Sequence, residues 1–127
     1  MQNKNEIINK AIYLQKSGKL KEAEEYLQFH YSNSTDDTNI SIAYASISES
    51  VGKKDIAIKI LQDAIILNPN DALLLTNLGG VLVRNGKSKE AISYLEKASS
   101  LIPNNIINYT NLACAYAEER DWKRAAA

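Results

Sequence analysis

Histidine and cysteine each occur once in this 127-residue chain, as His30 and Cys114. A structural or catalytic zinc ion takes three or four protein ligands drawn mainly from these residue types, so the pair cannot form a site of the usual kind. No metalloprotease helix motif is present, and Gly79-Gly80 lies inside a helical pattern with no strand before it and no lysine-serine pair after it, unlike a phosphate loop. No catalytic residue, cofactor or metal is expected. The side chains with more to offer are Asn9, Asn77 and Asn111, whose numbers differ by 68 and 34. A carboxamide both donates and accepts hydrogen bonds, so a spaced row of them can hold an extended peptide backbone whatever its side chains. A row of asparagines that are merely common and solvated at that position would look the same, and both readings stay open.

The spacing of those asparagines is the period of the whole chain. Residues 72–105 carry Leu78-Gly79, Leu82, Gly86, Ala91, Leu95, Ala98 and Pro103; 34 residues earlier stand Tyr44-Ala45, Ser48, Gly52, Ala57, Leu61, Ala64 and Pro69. One period earlier again stand Lys10-Ala11, Leu14, Gly18, Ala23, Leu27, His30 and Thr35, and one period later Leu112-Ala113, Tyr116, Arg120 and Ala125. A fixed period of this length marks stacked repeats. Inside each copy apolar residues recur at steps of three and four, as in Ile7, Ala11, Leu14 and Ala91, Leu95, Ala98, which is helical spacing. Gly18, Gly52 and Gly86 can close a first helix in the left-handed conformation, and Pro69 and Pro103 lie past a second. The pattern predicts helices at about 4–17, 20–31, 38–51, 54–67, 72–85, 88–101, 106–119 and 122–127.

With bulky residues at copy positions 4 and 7, small ones at 8, 20 and 27, and proline near 32, the chain resembles the tetratricopeptide repeat. The resemblance covers residues 4–127. The copy at 72–105 fits at all eight positions, and the one at 38–71 departs only at Ser48. The first copy departs at Lys10, His30 and Thr35, as suits an end repeat, and the last has Arg120 where glycine is usual. The family implies an all-α, right-handed superhelical solenoid of antiparallel helix pairs. Here that is a single domain over 1–127, with repeats at 4–37, 38–71 and 72–105 and a truncated fourth at 106–127.

In such arrays the first helix of each pair lines a concave face through copy positions 2, 5, 6, 9, 12 and 13. The resemblance therefore implies a partner-binding face of Asn5, Ile8, Asn9, Ile12 and Lys16; Asn39, Ile42 and Glu49; Leu73, Thr76, Asn77, Val83 and Arg84; and Ile107, Thr110, Asn111 and Glu118. Lys16 and Arg84 balance Glu49 and Glu118, while the isoleucines, Leu73 and Val83 offer apolar anchors. The basic clamp with which chaperone adaptors of this family hold a terminal carboxylate is missing, since Ile8 and Ile12 occupy its places. The expected function is a non-catalytic scaffold that binds a peptide or helical segment of a protein partner. The alternative is the recruiting arm of a larger enzyme or regulator, such as a repeat-bearing glycosyltransferase.

Composition agrees. Fifteen basic and fifteen acidic residues cancel, which argues against nucleic acid as a partner. No apolar run is long enough for membrane insertion, and Met1 to Lys10 lacks the apolar stretch of a signal peptide. A lone cysteine suits the reducing cytoplasm. His30 and Cys114 read as residues of helix packing surfaces, and Trp122 as a cover over a helix turn. The three glycosylation sequons, at Asn33, Asn39 and Asn108, read as chance. Because the fourth copy stops early, the expectation is a piece of a longer repeat protein, or self-association through an open C-terminal end.

Overall fold

The computed structural model describes residues 3–33 and 36–126, with side chains through Arg120. Helices α1 (Lys4–Lys16), α2 (Leu20–Asn33), α3 (Thr38–Ser50) and α4 (Lys54–Leu67) form one compact unit. Helices α5 (Ala72–Arg84), α6 (Ser88–Leu101) and α7 (Ile106–Ala126) form a second. Among the described residues there is no strand, and the fold is an all-α helical repeat of the solenoid class. The first six helices begin and end within two residues of the positions that the sequence pattern predicts.

The boundaries have local causes. Asn3, Asp37 and Asp71 stand before α1, α3 and α5, and each accepts from backbone N–H groups of the first turn, as Asp71 does from Leu73 at 3.0 Å and Leu74 at 3.2 Å. Gly18, Gly52 and Gly86 follow α1, α3 and α5 with φ of +78°, +89° and +74°. Behind each, a lysine N–H turns back to a carbonyl five residues earlier: Lys19 to Leu14, Lys53 to Ser48 and Lys87 to Leu82, all at 2.8 Å. Three copies of one turn thus end three first helices.

The fourth first helix does not end there. The sequence predicts a break between 119 and 122, but α7 runs unbroken for 21 residues. The residue at the glycine position is Arg120, which continues a right-handed helix at little cost and resists the left-handed conformation. Thr35 lies outside the described residues, and Trp122 outside the described side chains.

Packing follows copy position. Ala57, Ala91 and Ala98 are buried, at 0%, 0% and 2% exposure, as expected of small residues at helix crossings. On the first helices, two stripes serve different neighbours. Positions 4, 8 and 11 meet the second helix of the same copy: a Cβ on Gly79 would lie 2.3 Å from the Leu95 side chain of α6. Positions 3, 7 and 10 of α7 meet the preceding copy: Asn108 donates from Nδ2 to the Leu95 carbonyl of α6 at 2.9 Å and accepts from Thr76 of α5 at 3.2 Å. In α3 and α5 both stripes are buried. In α1 only the first stripe is buried (Ile7, Ala11, Leu14), and in α7 only the second (Asn108, Leu112, Ala115).

Candidate functional site

Each unit carries its own stretch of the stripe at positions 2, 5, 6, 9, 12 and 13. In the first unit, Asn5, Asn9, Ile12 and Lys16 of α1 are exposed and Ile8 is half-buried; on α3, Asn39 is exposed, with Ile42 and Glu49 half-buried. In the second unit, Leu73 and Arg84 of α5 are exposed, and Asn77 and Val83 half-buried. Ile107, Thr110 and Glu118 of α7 are exposed, and Asn111 is half-buried. Leu73 and Ile107, both at position 2, leave 50% and 68% of their surface in solvent.

The second unit brings donors together around a glycine. A Cβ on Gly80 would lie 3.1 Å from Asn111 Nδ2 and 3.2 Å from Arg84 Nη1. Without one, the α7 amide and the α5 guanidinium both rest on the backbone at Gly80. Asn77, one turn before Gly80 on the same helix, is half-buried and gives an N–H to the Leu73 carbonyl at 2.8 Å. Carboxamides flanked by an exposed leucine and isoleucine suit a segment that presents backbone polar groups and apolar side chains.

Three expectations change. Thr76 does not face a ligand: it is 5% exposed, because α7 crosses there and its hydroxyl donates to Asn108. Glu118 is exposed, but its carboxylate accepts from the Ser88 hydroxyl at the start of α6, where no residue provides a side-chain N-cap. A carboxylate beside that N-terminus also complements the helix dipole. Cys114, read as a packing residue, is exposed, since position 9 belongs to the outward stripe. His30 is half-buried and lies edge-on to Tyr26 and Phe29, with ring centroids at 4.6 Å and 5.2 Å.

Two further features carry no repeat signature. Asn108, 1% exposed, joins α7 to Thr76, Leu95 and Ser99, so its sequon has no accessible acceptor. Its signal was the polar residue at position 3, where Ile40 and Leu74 stand in other copies. On the first unit, Tyr31 and Tyr44 (rings 5.1 Å apart), Ile56 and Ile60 line a cleft of about 270 Å³ between α2, α3 and α4. The pair Lys59–Asp63, at 3.5 Å, also lines it. Burial raises the pKa of both phenols, and the Asp63 charge adds to the rise at Tyr31. Among the described residues, no three histidine, cysteine or carboxylate side chains are grouped to hold a metal ion, and no helix is long and apolar enough to cross a membrane.

The geometry is that of paired-helix repeats, and comparison identifies the class. Residues 60–93 match the tetratricopeptide-repeat family model, which spans one period of the chain. Similar solved structures include MamA, at 26% identity and a TM-score of 0.78 over 91% of this chain and 67% of that one. The type III secretion chaperone SycD of Yersinia enterocolitica, in complex with a peptide of the translocator YopD, is 18% identical, with a TM-score of 0.77 over 92% of both chains. An O-GlcNAc transferase mutant of Thermobaculum terrenum is 23% identical, with a TM-score of 0.75 over 91% of this chain and 23% of that one. Residues 60–93 thus carry a tetratricopeptide repeat, and the chain shares its all-α repeat fold with these structures. It spans about two thirds of the MamA chains that it matches. No curated protein matches the sequence.

Proposed function

We propose that the chain is a non-catalytic protein-interaction scaffold that holds a peptide or helical segment of a protein partner on the outward stripe of its first helices. The observation that carries this reading is the pair of half-buried amides, Asn77 on α5 and Asn111 against Gly80, flanked by the exposed Leu73 and Ile107. The peptide held by SycD, a protein of the same fold, supports it. The zero formal charge supports a protein rather than nucleic acid as partner, and the lone Cys114 supports a reducing, cytoplasmic setting. Self-association through the C-terminal end belongs to the same reading, as a contact separate from the groove.

The test is a library of peptides with spaced apolar anchors, screened for binding and measured by calorimetry. For a selected peptide, Asn77→Ala and Asn111→Ala should each weaken binding by about 1 kcal/mol if a buried hydrogen bond is lost. Full affinity in both variants would remove the stripe as the binding surface.

A second reading makes these repeats the recruiting arm of an enzyme or regulator. The fold likeness to 23% of the O-GlcNAc transferase chain favours it. Reading the gene beyond the codon for Ala127 tests it: a catalytic domain there supports the arm, and a stop codon ends it.

A further inference from the structure

The cleft between α2, α3 and α4 lies apart from the outward stripe: Tyr31 belongs to a second helix and Tyr44 to copy position 7. Its volume of about 270 Å³ falls just short of the roughly 300–1,000 Å³ of small-molecule pockets, so it suits a single side chain. Tyr44 and Ile60 are buried at its floor, Tyr31 is half-buried, and Ile56 is exposed. At the mouth, Lys59 and Asp63 stand 3.5 Å apart with 75% and 49% of their side chains in solvent. We propose that this cleft takes the arginine side chain of a protein partner, its guanidinium lying on the tyrosine rings beside the Asp63 carboxylate.

Each part of an arginine meets matching chemistry there. Ring faces carry negative potential and attract a cation, and a planar guanidinium can stack on them. The two rings, 5.1 Å apart and inclined at 50°, form one continuous aromatic surface. The Asp63 charge lies close enough to raise the pKa of the Tyr31 phenol, so one cation can reach both. The methylene stem would lie along Ile56 and Ile60.

Lys59 shows that Asp63 accepts a cation, and it holds that place weakly. The pair is exposed, and a lysine four residues before its acid is the less favourable order on a helix. A bidentate guanidinium can displace the ammonium into solvent. An anion would meet the Asp63 carboxylate and the negative ring faces, with Lys59 as its one attraction among the charged lining residues. A wholly apolar side chain would cover Asp63 and leave its charge with neither water nor a better partner.

The test is an NMR titration of the whole chain with N-acetyl-arginine methylamide, read at the ring signals of Tyr31 and Tyr44. The norleucine counterpart supplies an apolar stem alone, and acetate supplies the opposite charge. The arginine probe should shift both rings and saturate in the millimolar range, as befits so few atoms. The norleucine probe should bind at least about fivefold more weakly. Asp63→Asn should weaken the arginine probe about fivefold, and Lys59→Gln should tighten it about twofold. Both side chains are exposed, so the variants keep the fold. No shift at either ring, equal binding of norleucine, or stronger binding of acetate would overturn the proposal. So would an Asp63→Asn variant of full affinity, or a Lys59→Gln variant that binds more weakly. The probe reports on residues outside the stripe, so each of these failures leaves the peptide-binding reading standing.

Discussion

Helices α1 and α7 occupy the same place in their repeats, and each has one stripe buried and one open, but the stripes are opposite. On α1 the open residues are Glu6, Lys10 and Tyr13; on α7 they are Tyr109, Ala113 and Tyr116. The α1 face is dressed for water: Lys10 holds its ammonium 4.7 Å over the Tyr26 ring, and Glu6 accepts from the Asn3 amide. The α7 face offers aromatic rings with a small residue between them. The two open stripes thus differ in residue type rather than in exposure.

The contrast can be tested most severely at position 7. Leu112→Ala removes a side chain buried under α7 and should cost about 2–5 kcal/mol in chemical denaturation. Lys10→Ala at the same position of α1 should cost no more than about 1 kcal/mol. Equal losses would mean that the two ends are built alike.

Position 8 reverses the order. Ala11→Leu overpacks the α1–α2 contact and should lower stability by about 1–3 kcal/mol. Ala113→Leu, on the open face, should leave the midpoint of a dilute sample within about 0.5 kcal/mol. A large loss at Ala113 would show that this face is already covered.

Arg120→Gly would bring the last copy closer to the first three. The change should cost about 1 kcal/mol in a helix interior. Spin labels on either side of position 120 should then report a broader distance distribution than in the unaltered chain. A distribution as narrow as before would mean that glycine alone does not set the turn.

The smallest effect is at alkaline pH. Burial raises the pKa of Tyr31 and Tyr44, hydrogen bonding to Glu96 raises that of Tyr116, and the bond to Glu24 raises that of Lys53. In each case the folded chain holds its proton more tightly than the unfolded one. The stabilisation is therefore complete below the ordinary values of 10.0 for tyrosine and 10.5 for lysine, and is lost as pH rises through the folded pKa values. Denaturation midpoints should be flat between pH 7 and 9 and fall above about pH 10. A fall that begins at neutral pH would point to other groups.

What could be read from the sequence was what depends on nearby residues. The glycine turns and the packing alanines are set by residues a few positions apart, and the structure has them where the 34-residue period puts them. Reading failed where the period was followed past its own exceptions. Arg120 already signalled that α7 would not break, and position 9 already placed Cys114 outside the packing. Thr76 and Asn108 could not be read from one copy, because their bond joins neighbouring copies and replaces the apolar contact usual at position 3. The Tyr31–Tyr44 cleft depends on how three helices diverge, which no single helical pattern encodes.

The bond from Thr76 to Asn108 spans 32 residues, and that from Asn108 to Leu95 only 13. Closing such short stretches of chain loses little entropy, and elements that touch only their neighbours can form in any order. The expectation is rapid folding, on the microsecond-to-millisecond scale of low-contact-order helical proteins. On the ribosome, each helix pair would be able to collapse soon after its second helix emerges, well before the rest of the chain is made.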